Sequence, residues 1–497
     1  MKRPGFLALA LFLLFQTLYG LLVFPVFPLV GDSADYASLI DHGVFHIRTT
    51  HVGFYVAYYP FHVLNKAFIG AGSDLFLNAV TTFFGALGVS LVFLIFMNIL
   101  GGSERERRRS ALYGALLFGL SGIVWYHAEF AETPALMLLG AYVSFYLFLR
   151  GRYAAGGVCL GLAALVSQAV APCAAWFVAA AIVRRVSVGR LARFAALFLA
   201  TFLLGVLLVY HDFLWGSRGL FSVHGYYSAA PLIKTLFSFA YSLLESYWPV
   251  LFLFLWAIPQ IRRQRLLAWI TLASLPPLVY VGRRIGHTDY GIVWLPAAFI
   301  VAAWLGIAFQ SLVGRLPRRR EAAVACCAMG IFLAVTLGTY IGPKRSAWIE
   351  GTECLSRVHE RAREGCLIAD AYVGFAYAHL FWPELAEVWD APWAVLPDRA
   401  ERIEELAADR PVYLLDYIPP SHFLRGLLLD NPLARKVLPE EKRLQFQEEF
   451  EPTSRRFHDL VPDGELELIL TCGRSRLWRL AWTAPEEQPI GDPRTSE

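Results

Sequence analysis

The residues best able to do chemistry are paired carboxylates set in short polar breaks between long apolar runs. The first set is Gly31-Asp32-Ser33-Ala34-Asp35, directly after the first apolar run. Two acids three residues apart share one face of a helix. One can serve as general base toward a hydroxyl, and the other, as a nearby like charge, raises its pKa. The same spacing also reads as a helix start, with Asp32 as cap and Asp35 favoured by the helix dipole; the two roles are compatible. The second set is Trp125-Tyr126-His127-Ala128-Glu129-Phe130-Ala131-Glu132-Thr133-Pro134. Pro134 marks the first turn of a helix, which leaves Glu129 and Glu132 unexplained in so apolar a setting. The third is Arg283-Arg284-Ile285-Gly286-His287-Thr288-Asp289. Adjacent arginines suit bidentate phosphate binding, with lipid headgroups or Asp289 as the alternative partners. Arg218 and His224 are further anion-binding candidates.

These sets need a scaffold, and the composition says which kind. Of 497 residues, 57% are hydrophobic and 17% charged, well below the roughly 25% charge of an ordinary globular protein. Disorder, collagen-like repeats and a disulfide scaffold are excluded, and a net charge of +4 gives no reason to expect a nucleic-acid partner. Residues 1–342 hold 25 of the 44 Lys/Arg but 12 of the 40 Asp/Glu. The remainder is charged like a soluble protein. The expected division is a membrane part at 1–342, a water-exposed domain at 343–482 and a frayed, acidic, proline-rich tail at 483–497.

Apolar runs fit for spanning a bilayer lie at about 5–27, 75–99, 111–127, 133–149, 153–169, 171–184, 194–214, 236–258, 266–281, 290–312 and 322–342. That makes about eleven spans, with the pair around Pro172 readable as one broken helix or two. Lys2/Arg3 and the clusters at Arg105–Arg109, Arg150/Arg152, Arg184–Arg193, Arg262–Arg265 and Arg315–Arg320 fall in every second loop. They account for 19 of the 25 bases. The positive-inside bias then predicts a cytoplasmic N-terminus and an extracytoplasmic C-terminal domain. A bacterial inner membrane satisfies this, as does an endoplasmic-reticulum membrane. No small-x-small cleavage site follows the first run, so it reads as a retained helix. Nine of the twelve acids lie in or beside outer loops, which suggests a polar cavity opening outward.

The longest outer loop, 28–74, contains the Tyr-rich Gly53–Gly70, interrupted by Pro60, His62 and Lys66. It reads as an interfacial helix, because a further span would turn every basic cluster outward. In the C-terminal part, runs at Cys366–Ala369, Val412–Leu415, Leu466–Leu470 and Leu477–Trp482 read as strands and Arg399–Ala408 as a helix. Together they suggest a small α/β unit. The chain lacks a P-loop, a GxGxxG opening a helix and an HExxH, and Ser33 has no nucleophile-elbow context.

Taken in order, these motifs resemble the GT-C superfamily of polyprenyl-phosphate-sugar-dependent glycosyltransferases, especially its protein O-mannosyltransferase-like members. Asp32, Ser33 and Asp35 match a GDSGE-like motif after the first helix, with Ala34 in place of glycine and Asp35 in place of glutamate. His51, Gly53, Phe54 and Tyr55 resemble the His- and Gly-rich stretch before an aromatic interfacial helix. Trp125, Ala131, Glu132, Ala135 and Leu136 resemble a W-x-x-A-x-x-AE-x-x-AL-like turn. Tyr290, Leu295 and Pro296 echo the start of a late helix.

The resemblance implies a GT-C-like α-helical multi-pass membrane protein. It would transfer a sugar, mannose or another hexose, from a polyprenyl-phosphate donor to an acceptor hydroxyl on a lipid, glycan or protein. Asp32 would be the base, with Asp35 and Glu132 completing the catalytic set. His51, Tyr55, Glu129, Arg218, His224, Arg283, Arg284 and His287 would bind substrate, the arginines stabilising the phosphate that leaves. A single displacement would invert the anomeric centre. Some GT-C enzymes hold a divalent metal such as Mg or Mn with such acids and others need none; the residues leave both open. Two other classes remain. A secondary transporter would show repeats or midplane charges, and a non-catalytic membrane scaffold would use the loop acids only as helix caps.

Overall fold

A computed structural model describes residues 4–23, 40, 52–71, 73–129, 131–209, 232–284, 290–362, 365–369, 387–390, 411–417, 464–472 and 475–482. Asp32, Asp35, His51, Arg218, His224 and His287 lie outside these residues, as do the helix expected at Arg399–Ala408 and the tail. The described residues through Arg345 belong to one compact unit and those from Ser346 onward to a second.

Helix occupies all or part of each of the eleven apolar runs, but the run at 236–258 breaks after Tyr247 and resumes only as the four-residue Phe254–Ala257, between 3-10 turns at Leu251–Leu253 and Ile258–Arg263. In chain order the helices of the first unit begin with α1 (Pro4–Leu21), α2 (Val52–Leu64, prolonged by a π-turn at Asn65–Ile69), α3 (Ser73–Ile99), α4 (Glu104–Leu120), α5 (Gly122–Ala128), α6 (Thr133–Leu149), α7 (Tyr153–Val166), α8 (Ala174–Arg184), α9 (Val188–Val209), α10 (Leu232–Tyr247), α11 (Phe254–Ala257), α12 (Arg265–Arg284), α13 (Tyr290–Val313) and α14 (Arg318–Thr336). After a second π-turn comes α15 (Gly342–Ala362). Among the described residues six helices are long and apolar enough to cross a membrane. The bent pair α4–α5 makes a seventh, and shorter apolar helices lie at Thr133–Leu149, Tyr153–Val166 and Ala169–Arg184. The protein is a helical, multi-pass membrane protein.

Three departures from straight spans have local causes. The run read as 111–127 begins earlier, because Ser103 and Glu106 form a reciprocal capping box that starts α4 at Glu104. It then bends by 63° at Ser121, whose extended backbone ends α4 and begins α5. Around Pro172 the chain leaves α7 at an extended Ser167, passes through a 3-10 turn at Gln168–Cys173 and continues as α8. Arg184, closing α8, donates to the Leu149 carbonyl at 2.6 Å and the Asn98 carbonyl at 2.8 Å. α8 thus returns to the end of the bundle where α6 finishes and α7 begins, so these are two helices.

The basic clusters gather at that same end. Arg109 pairs with Glu321 at 2.7 Å, Tyr113 donates to the same carboxylate at 3.2 Å, and the Gly101 amide donates to Gln264 at 2.7 Å. Inside the bundle, the rings of Tyr142, Trp176 and Phe299 stack from α6, α8 and α13, with centroids 6.0 and 4.6 Å apart. Apolar side chains gain little from leaving lipid, so helices here associate through close packing at small residues. Gly157 and Gly161 of α7 let α9 approach until an added methyl would meet the Phe194 and Phe198 carbonyls. α9 and α14 turn much of their length outward, exposing Leu199, Leu203, Val324 and Ile331.

α2 forms where the aromatic stretch predicts a helix. It seats Gly53 against the backbone of Leu165 and Val166, and Tyr58 shares a 2.6 Å hydrogen bond with Thr81 of α3. In the second unit, β1 (Cys366–Ala369), β2 (Glu387–Asp390), β3 (Val412–Tyr417), β4 (Gly464–Cys472) and β5 (Ser475–Trp482) form one sheet ordered β2-β1-β3-β5-β4. β1 runs parallel to β2 and β3, while β5 is antiparallel to β3 and β4. Strands form at all four expected runs. β2 is additional, a four-residue Glu-Val-Trp-Asp segment too short to show alternation.

Candidate functional site

The end of the bundle opposite the basic clusters carries the turn between α5 and α6. The Trp125 indole N–H donates to Glu129 Oε1, a bond that the i, i+4 spacing allows on the last turn of α5. Glu129 is fully buried, and its Oε2 has no hydrogen-bond partner among the described residues. The Trp125 ring lies 5.4 Å from that of Tyr19 in α1, and the Tyr19 hydroxyl donates to the Gly119 carbonyl at 2.7 Å. The Ala131 amide, just beyond, donates to Asn78 of α3 at 2.8 Å.

Close packing sets this geometry. A methyl at Gly122 would lie 2.7 Å from the Tyr340 ring, and one at Gly119 would strike the Phe15 ring. The turn is therefore clamped between α1 and the chain following α14.

Glu132 occupies the N-cap position of α6, with Pro134 in the first turn as the sequence suggests, but its carboxylate makes no capping bond. It lies 4.0 Å from His127 Nδ1, in a nearly buried pair. Capping thus explains the proline and leaves the acid for another task. Of the remaining expected residues, Tyr55 is buried in α2 with its ring 6.0 Å from that of Phe54. Arg283 is exposed in the last turn of α12, where Gly282 backs onto Trp294 and Thr235. Arg284 ends α12, and its side chain lies outside the described residues. Trp125, His127, Glu129 and Glu132 come together on one turn.

Sequence reasoning missed Tyr19, Asn78 and Arg345, which position this turn from helices distant in the chain. None of the three stands out by local pattern, since each acts through a contact with a distant segment.

Burial pushes the Glu129 carboxyl up from 4.5 to about 9, against the opposing effects of the Trp125 hydrogen bond and the Arg345 charge. A raised carboxyl pKa means that folding takes up a proton between those values. The residue's contribution to stability is therefore full below 4.5 and falls as pH rises toward about 9. Wild-type protein is expected to lose more thermal stability than Glu129→Gln between about pH 6 and about pH 9. Parallel unfolding curves in detergent would contradict the buried, protonated acid.

Among the described residues no three His, Cys, Asp or Glu side chains are grouped to hold a metal ion. Asp32 and Asp35, two of the acids that the resemblance associates with a metal, lie outside the described residues.

Two crystal structures of ArnT from Cupriavidus metallidurans match nearly the whole chain. The form bound to undecaprenyl phosphate has a TM-score of 0.63 at 14% identity, over 96% of this chain and 98% of that one. The chain shares the fold of this ArnT structure. The apo form has a TM-score of 0.60 at 15% identity, over 96% and 97% of the two chains. No family model and no curated protein sequence matches the chain. The likeness to ArnT therefore lies in the path of the helices, with little shared sequence beneath it.

Proposed function

We propose that this protein is a membrane glycosyltransferase that moves a sugar, mannose or another hexose, from a polyprenyl-phosphate donor to an acceptor hydroxyl on the extracytoplasmic face. The observation that carries this reading is the fold, shared over 96% of the chain with an ArnT structure that holds undecaprenyl phosphate. The segregation of charge supports the orientation: basic clusters gather at one end of the bundle and the Glu129–Glu132 turn lies at the other. On this reading the basic end faces the cytoplasm, and residues 343–482 form an extracytoplasmic domain.

The reaction is a single displacement. Asp32 takes the proton of the acceptor hydroxyl as its oxygen bonds to the anomeric carbon. The bond from that carbon to the phosphate oxygen breaks, and polyprenyl phosphate leaves with the electron pair. The acceptor attacks the face opposite the phosphate, so the anomeric centre inverts. Asp35 orients the acceptor or tunes Asp32. Arg283 and Arg284 stabilise the departing phosphate, an effect strongest where water is scarce. His51, Tyr55, Arg218, His224 and His287 contribute to the donor and acceptor surfaces, and Glu132, beside His127, shapes the sugar site.

The test is donor consumption by the purified protein in nanodiscs, against a panel of polyprenyl-phosphate sugars with lipid extract and peptides as acceptors. The expected result is consumption of one donor with release of polyprenyl phosphate. Consumption of none would overturn the reading in favour of a transporter or scaffold.

A further inference from the structure

Arg345 lies near the start of α15, half-buried, and its Nη1 donates to the Leu22 carbonyl at 2.9 Å. Leu22 immediately follows α1. The last carbonyls of a helix lack partners within it and carry its negative dipole end, so a guanidinium there both satisfies and attracts. The Arg345 charge is also felt by the buried Glu129 carboxyl. Glu129 in turn holds Trp125, whose ring braces Tyr19 in the last turn of α1. Two separate contacts therefore converge on the end of this helix.

α1 turns Phe6, Leu9, Leu13, Leu14 and Leu21 outward, so the bundle grips it along one narrow face. Of its 18 residues only Ala8, Leu11, Phe15 and Tyr19 are buried. The chain reaches Asp32 ten residues after Leu22.

We propose that Arg345 and Glu129 are positioning residues that fix the end of α1, and with it the root of the segment bearing Asp32 and Asp35; Glu129, expected from the sequence to bind substrate, acts on this reading through Trp125 and Tyr19 instead. This rests on the reading of Asp32 as general base. A displacement of about 1 Å at a reacting group can cost about a hundredfold in rate even when its origin is remote.

The experiment compares full-length wild type, Arg345→Gln and Arg345→Lys in nanodiscs. With the donor that wild type consumes, Arg345→Gln is expected to lower kcat by about ten- to hundredfold with the donor KM within about twofold, since no ground-state contact is lost. Arg345→Lys is expected to recover most of the rate, because an ammonium can still donate to the Leu22 carbonyl. Independently of activity, amide exchange at the end of α1, across residues 19–23, is expected to quicken by about tenfold in Arg345→Gln, with α6 and α13 unchanged.

Unchanged exchange would overturn the proposal. So would a raised KM at constant kcat, which would make Arg345 a donor ligand. If Arg345→Gln is not recovered folded, the same exchange comparison on Glu129→Leu, which removes the acceptor of the Trp125 indole, decides by the same criterion. Should wild type consume no donor, the glycosyltransferase reading fails while the exchange result still judges the anchoring of α1.

Discussion

Asp32→Asn is expected to lower turnover by about 10³-fold while the protein stays folded and still binds its donor. Asparagine keeps the size and hydrogen-bonding reach of the side chain but cannot take a proton. A hydroxyl is a poor nucleophile until its proton has somewhere to go, so the loss should fall on the chemical step. In single-turnover experiments with saturating donor the rate should drop and the donor affinity should not, the pattern of an interaction made only in the transition state. Asp35→Asn should cost less and move the pH profile, because removing a neighbouring negative charge lowers the pKa of the base. Full activity in Asp32→Asn would sink Asp32 as base and leave the fold untouched. A fall in unfolding temperature matching the fall in rate would favour the capping role that the same spacing allows.

The parts of this architecture that were legible in the sequence are those set by solvent. Runs of apolar residues about as long as a bilayer is thick must become helices, since lipid offers their backbone no partner, and helix occupies all or part of each run, with the one at 236–258 broken after Tyr247. The arginine clusters foretold which loops share an end, and the Arg109–Glu321 and Arg184–Leu149 contacts lie there. What escaped notice is set by contacts between distant segments. Ser121 bends a helix because Gly119 and Gly122 beside it admit Phe15 and Tyr340, and nothing in the apolar run announces that. Glu129 stood out as an acid among aromatics, but its indole partner and complete burial follow from packing. Arg345 reaches Leu22 across 323 positions, beyond the range of any local pattern. β2 was missed for a different reason: four residues with acids at both ends show no period, and pairing with β1 makes them a strand.

The largest structural effect should come from a residue that carries no chemistry. Gly306, in α13, faces Gly114 of α4, and a methyl there would lie 2.6 Å from the Gly114 Cα and 2.5 Å from its amide nitrogen, besides striking the Ser110 carbonyl. All three obstacles are backbone, so no rotamer change can relieve them, and the helices must separate. Separation would open a seam that continues through Phe96, whose ring lies 5.0 Å from that of Phe299. Contact between small residues is the main source of affinity between helices in lipid, so little would compensate. Overpacking ordinarily costs about 1–3 kcal/mol, and Gly306→Val is expected at or above the upper end, with Gly306→Ala between it and wild type. Thermal unfolding in detergent should show that graded order, accompanied by loss of recovered protein for the valine variant. A Gly306→Val protein that unfolds at the wild-type temperature would mean that α4 and α13 do not meet at these residues. The placement of α13, and with it of the outer segment carrying Tyr290, would then have to be redrawn.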